Sequence, residues 1–315
     1  MGCELGLMSL RPYFVLCLGL WSGCWSQFAW AEAPARVLVV LSDTASTYRE
    51  VTDAFVVALA GKFPVQTRLL GELRDNEIAA AHMDRILVVP VGVRAMEEIH
   101  GQSRNATSVL NLLAPRTASL TSGDAGSRDS AVYIDQPPER YLTFVKMLMP
   151  KAKRVGIVVS SDAVNGLRAY AVEAARMKLE LVAEAVPEAQ DVPRALQRML
   201  PRVDVLLLVP DSEVVNENTV RHILIASYRQ RTPVIGFSRG LTNAGAVASL
   251  VSSPAGIGRQ GGLLAKQWNP AQGALPAARF AGDFDMTFNR QVARSLGIEV
   301  PMDERELSAW RSRLE

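Results

Sequence analysis

The chain has 315 residues, a formal net charge of +2, 49% hydrophobic residues and three cysteines. The near balance of 34 basic and 32 acidic residues argues against a nucleic-acid partner, and the length exceeds one small core and suits two lobes. Cys3, Cys17 and Cys24 all fall before Ala31, so a chain cleaved there carries no disulfide, thiol nucleophile or cysteine metal site.

Residues 1–31 read as a signal peptide. Arg11 precedes the apolar run PYFVLCLGLW, and Ala29, Trp30 and Ala31 form an A-x-A-like cleavage site. The run is too short to span a bilayer, and no later stretch reaches the roughly 18 apolar residues that spanning needs. The expectation is export to the periplasm as a soluble protein. Lipid attachment at Cys24, in LWSGC, is the alternative, weakened by a leucine one position too far from the cysteine.

From Arg36 the chain alternates short apolar strands with helical patterns. RVLVVLS reads as a strand, and Val51, Ala54, Phe55, Ala58 and Leu59 mark the face of the helix after it. VQTRLL and RILVVP are further strands, with a weaker helix between them from Asp75 to Met83. Gly92 opens the helix GVRAMEEI and is placed to let backbone donors approach a ligand. A strand at Val109 to Leu113 and the polar loop TSGDAGSRD follow. AVYIDQPPER then marks a boundary, where a strand ends at Asp135 and Pro137 and Pro138 open the helix YLTFVKMLM.

The second half repeats the outline. RVGIVVS is a strand, Val164 to Lys178 an Ala-rich helix, LELVAEAV a strand and Val192 to Leu200 a helix. Val203 to Gly240 supplies a full strand, loop, helix and strand unit. Its first strand ends before Asp211 and Ser212, and its second, Pro233 to Phe237, ends at Ser238 and Arg239. The tail holds the strand GAVASLVSS, the helix SPAGIGRQGGLLAKQW, the strand RFAGDFDMTF and the helix NRQVARSLG. This βα alternation in two halves predicts an α/β protein of two doubly wound, Rossmann-like lobes around an interlobe cleft. The expected division places 36–137 with 241–277 in the first lobe and 138–240 with 278–315 in the second.

Two enzyme signatures match by letter. Gly236 to Gly240 satisfy G-x-S-x-G, but a hydrolase elbow needs a histidine after Ser238, and His82, His100 and His222 all precede it. Gly256, Gly258 and Gly261 satisfy G-x-G-x-x-G, but SSPA intervenes after the strand and no further βαβ unit follows, so close helix packing is the better use of these glycines. The histidines lack metal-ligand spacing. Neither a metal nor a cofactor is expected, nor an enzyme; a secreted hydrolase at Ser238 is the minor alternative.

From Ala131 onward the chain resembles the ABC-type solute-binding family that includes tryptophan- and tyrosine-binding proteins, with the type I periplasmic-binding-protein fold. The matching pieces are RVGIVVS, VDVLLLVPDSEVV, TPVIGFSRGLTNAGAVASLVSSPAGIGRQGG and FNRQVARSLGIEVP. In the first lobe PVGVRAMEEI looks like the family's glycine-opened helix, whereas SDTASTYRE lacks its usual residues. The resemblance implies a small-molecule ligand, such as an aromatic amino acid, captured by hinge closure and presented to the membrane permease of an ABC transporter. A sensory module docking on a membrane receptor is the alternative. Because ligands of open α/β sheets sit at the carboxyl ends of strands, the candidate ligand residues are Ser42, Asp43, Tyr48, Gly92, Ser160, Asp211, Ser212, Phe237 and Ser238. Asp211 and the serines supply hydrogen bonds, Gly92 supplies backbone donors, and Tyr48 or Phe237 supplies a stacking face.

Overall fold

The computed structural model describes Gly2 and residues 34–74, 78, 85–102, 107–116 and 126–315. All but Gly2 of the expected signal peptide, with its three cysteines, all but Ile78 of the expected helix from Asp75 to Met83, and most of the TSGDAGSRD loop lie outside the described residues, as does His82.

Runs rich in β-branched residues form the inner strands, and because helices cover both faces there these runs are largely apolar rather than alternating, whereas edge strands such as VQTRL and ELVAEAV are mixed. Arg36–Leu41 (β1) and Ile86–Val91 (β3) are buried along nearly their whole length. With Val65–Leu69 (β2), Ser108–Ala114 (β4), Asp129–Tyr133 (β5) and the two-residue Arg279–Phe280 (β11) they make one sheet in the order β11-β5-β4-β3-β1-β2. Every pairing in it is parallel. The second sheet runs β12-β10-β9-β8-β6-β7, from Arg154–Ser160 (β6), Glu180–Val186 (β7), Val205–Leu207 (β8), Val234–Gly236 (β9), Ala248–Ser252 (β10) and Phe284–Phe288 (β12). Only β12 is antiparallel. The first five strands of each sheet follow one spatial order, second-first-third-fourth-fifth, so the two halves share a doubly wound topology.

Each sheet has its own core. Val37, Val39, Leu87, Val89, Leu110 and Val132 of the first sheet pack with Val51, Phe55 and Leu59 of helix Ser46–Leu59 (α1) and with Ile257 and Leu264 of helix Pro254–Ala265. Val155, Ile157, Val205, Ile235 and Leu250 of the second pack with Tyr141, Phe144 and Val145 of helix Pro138–Leu148.

The chain crosses between the sheets three times: after Tyr133, after Ser252 and between Phe280 and Phe284. The division expected from sequence is corrected at two of these crossings. The residues up to Ser252 of the stretch 241–277 run with the second sheet, because β10 bonds to β9 and β12. RFAGDFDMTF is two strands rather than one: Arg279–Phe280 joins β5 of the first sheet and Phe284–Phe288 joins β10 of the second.

Of the three glycines of the G-x-G-x-x-G match, Gly258 serves backbone-close helix packing, together with Gly262 just beyond the match, whereas Gly256 and Gly261 face the Asp283 and Leu112 side chains. A Cβ on Gly258 would stand 2.1 Å from the Val51 carbonyl oxygen, and one on Gly262 would stand 2.6 Å from that of Phe55. These two positions let helix Pro254–Ala265 lie directly on the backbone of α1.

Candidate functional site

A cavity of about 520 Å³ opens where strand ends of the two sheets face each other. The first sheet contributes Tyr133 at the end of β5, Asp135 and Gln136 just beyond it, Arg116 after β4, and Phe280 at the end of β11. The second contributes Val159 near the end of β6, Asp162 and Tyr170 from the segment that follows, and Val209 after β8.

The wall formed by the first sheet is chemically mixed. Asp135 is buried, and its Oδ2 accepts from the Arg116 backbone N–H at 2.7 Å. Burial pushes its carboxyl up to about 6, against the opposing pull of backbone hydrogen bonds and of the Arg116 charge. The exposed Arg116 guanidinium lies 5.8 Å from the centre of the Phe280 ring, and Phe280 in turn meets Tyr133 with ring centroids 5.8 Å apart. Across the cavity, burial raises the Tyr170 hydroxyl well above its ordinary value, with smaller contributions from Tyr141 and Asp135. Beneath this wall the fully buried Tyr141 hydroxyl makes no well-formed hydrogen bond, the Gln136 backbone lying only near enough to temper the upward push of burial and Asp135. The cavity therefore offers an acid and a cation on one wall, with aromatic surface beside them.

None of the nine residues singled out from sequence lines this cavity. Ser42 is buried, and its Oγ accepts from the Ala95 amide at 2.9 Å. Asp43 is exposed and folds back onto the Thr44 and Ala45 amides. Tyr48 packs on the first core, so close to Gly92 that a Cβ there would stand 2.6 Å from its Cε1. Gly92 was expected to present its N–H to a ligand; instead, at φ +95°, it donates to the Leu112 carbonyl at 2.8 Å. Its positive φ serves the turn.

In the second lobe Asp211 anchors the loop after β8. Its carboxylate accepts from the amides of Ser160 at 2.8 Å, Glu213 at 3.1 Å and Val214 at 3.4 Å, which uses most of its acceptor capacity. Ser160 is thereby held as a strand end beside the cavity residue Val159. Ser212 is exposed, and its carbonyl accepts from the Asn216 side chain at 2.9 Å. Phe237 is half-buried and packs against the two apolar clusters of its lobe. Ser238 caps helix Arg239–Ala244, its Oγ accepting from the Leu241 amide at 3.2 Å. Arg239 pairs with Asp285 at 2.8 Å.

The geometry explains the difference. In the second sheet the cavity lies at the β6/β8 switch point, where the strand-end rule puts it. In the first sheet it lies at the β4, β5 and β11 ends, away from the β1/β3 switch point that holds Ser42 and Gly92, because two of the three crossings leave from that side. The signal that could have found it was YID before a Pro-Pro pair: an acid at a strand end next to an interlobe crossing. Among the described residues no group of three His, Cys, Asp or Glu side chains converges to hold a metal.

Two doubly wound lobes, three crossings and a cleft between strand ends define a two-lobed solute-binding protein. The chain belongs to the ABC transporter substrate binding protein family, whose model matches residues 135–306, and members of this class bind ligand without catalysing a reaction. Over 133 residues it is 25% identical to a tyrosine-binding protein of Clostridioides difficile (strain R20291); the match spans 40% of this chain and 37% of the length of that relative. A structure of an ABC domain in complex with L-Trp from Streptococcus pneumonia is similar in fold, with a TM-score of 0.62 at 16% identity over 87% of this chain and 98% of that one. The ligand-free, open structure of a substrate binding protein with adhesive properties from Clostridium difficile is similar to the same degree, with a TM-score of 0.62 at 16% identity over 86% and 97% of the two chains.

Proposed function

We propose that this protein captures an amino acid with an aromatic side chain in the interlobe cleft, closes on it by hinge motion, and hands it to the permease of an ABC transporter after export to the periplasm. The observation that carries this reading is the cavity wall on which Asp135, Arg116, Tyr133 and Phe280 stand together. An ionised Asp135 suits the ligand's ammonium group, Arg116 suits its carboxylate, and the Tyr133 and Phe280 rings suit a planar side chain. The size of about 520 Å³ falls in the usual range of small-molecule sites, roughly 300–1,000 Å³. The tyrosine-binding and tryptophan-bound relatives support the same ligand class.

Binding an ammonium requires Asp135 to give up a proton that its burial favours below about pH 6, so affinity should weaken as pH falls through that value. Titration of the ligand-free protein with L-tryptophan and L-tyrosine, followed by thermal shift and calorimetry, tests the reading. Saturable 1:1 binding is expected, lost in Asp135→Ala and weakened tenfold or more in Arg116→Ala. If neither amino acid moves the melting temperature of folded, ligand-free protein, the aromatic assignment fails.

A further inference from the structure

Arg140 stands in the first turn of helix Pro138–Leu148, where a cation opposes the helix dipole and half-burial adds a desolvation cost. What offsets these costs is a set of contacts that reaches across the molecule. Its Nε donates to the Leu314 carbonyl at 2.8 Å, next to the end of the chain. One terminal nitrogen, Nη1, donates to the Gln136 Oε1 at 2.5 Å and to the Ala281 carbonyl at 3.3 Å. The guanidinium lies over the Phe284 ring, 4.4 Å from its centroid.

These contacts reach all three crossings between the lobes. Gln136 belongs to the first, and its Nε2 donates to the Ser252 Oγ at 2.5 Å, at the start of the second. The Ser252 hydroxyl donates onward to the Ile134 carbonyl, returning to the first. Ala281 and Phe284 flank the third, and the Ser253 amide ties the second to it through the Asp283 carbonyl at 3.2 Å. Gln136 is fully buried yet lines the cavity, so the network that joins the crossings also fixes part of the cavity wall.

We infer that Arg140 is a positioning residue of the hinge: through Gln136, Ser252, Ala281 and Phe284 it binds the three crossings into one unit, so that the lobes move about a single axis and the cavity wall stays in register as they close. The hinge role rests on the solute-binding reading, but its test does not depend on which ligand binds. Spin labels are placed on exposed positions of the two lobes, Val57→Cys and Val172→Cys, in the full chain with Cys3, Cys17 and Cys24 changed to serine, and the interlobe distance is measured by double electron–electron resonance without ligand. Arg140→Met is expected to widen the distance distribution at least twofold, while Arg140→Lys, which keeps a donor for Gln136, restores part of the narrow form. Ser252→Ala breaks the network at a second crossing and is expected to widen it too, which covers the case in which Arg140→Met does not fold. A contribution confined to stability lowers the melting temperature and leaves the distribution unchanged; that result in the folded variants overturns the inference. Adding L-tryptophan to the parent protein separates the two proposals, because its failure to shift the distance bears on the ligand alone.

Discussion

Replacing Asp135 by Asn should stabilise the ligand-free protein at neutral pH. In the fold its carboxyl has a pKa of about 6 against the ordinary 3.8. Each unit corresponds to about 1.4 kcal/mol between the protonation states, so ionising Asp135 in place costs roughly 3 kcal/mol. The sign follows from linkage: the folded pKa lies above the unfolded one, so the folded state holds the proton more tightly. The contribution to stability is complete below pH 3.8, declines as pH rises through the window up to about 6, and is absent above it. Asn keeps a carbonyl oxygen to accept from the Arg116 amide, now made at 2.7 Å, and has no charge to desolvate. Urea unfolding of both proteins at intervals from pH 3.5 to 8 is the assay. The variant should gain up to ~3 kcal/mol on the parent between pH 4 and 6 and hold that lead to pH 8. A variant less stable than the parent at pH 7, or a difference that does not change with pH, would refute the reasoning. The cost of keeping an acid here is consistent with a site whose ligand supplies the missing counter-charge.

Two further outcomes probe the sequence motifs. Gly258→Ala gains helix propensity of about 1 kcal/mol but puts a methyl against the Val51 carbonyl, so a net loss of about 1 kcal/mol or more is expected by thermal unfolding. Gly101→Ala, where a Cβ meets nothing within 4 Å, is the control and should be neutral or stabilising. Ser238→Ala should cost about 1 kcal/mol through loss of the helix cap and leave amino-acid affinity unchanged; a loss of affinity would return Ser238 to the binding site.

The architecture was readable in the residues because it rests on local periodicity. Short apolar runs such as VLVVL and VGIVV, rich in β-branched residues, read as strands covered on both faces, and their alternation with helical patterns leaves two doubly wound halves as the economical arrangement. The roles of small motifs were also partly within reach: the missing downstream histidine removed the hydrolase reading of Ser238, and of the motif glycines after Ser253 Gly258 is a contact point for a helix. The exact lobe boundaries were not, since RFAGDFDMTF carries one continuous strand pattern and nothing local says that its two halves bond to different sheets.

The site was the least legible part, for a related reason. A polar residue at a strand end looks the same whether it faces a ligand or satisfies neighbouring amides; Asp211 and Ser42 do the latter, and the Gly92 N–H is taken up by the Leu112 carbonyl. What distinguishes them from Asp135 is where the lobes meet, and that depends on crossings assembled from residues more than a hundred positions apart, as in the bonds from Gln136 to Ser252 and from Arg140 to Ala281. The sequence by itself determined most of the strands and helices and the family, because these follow from near-neighbour patterns along the chain. The tertiary structure decided which strand ends face each other across the cleft, because that is set by how two sheets joined by three crossings pack.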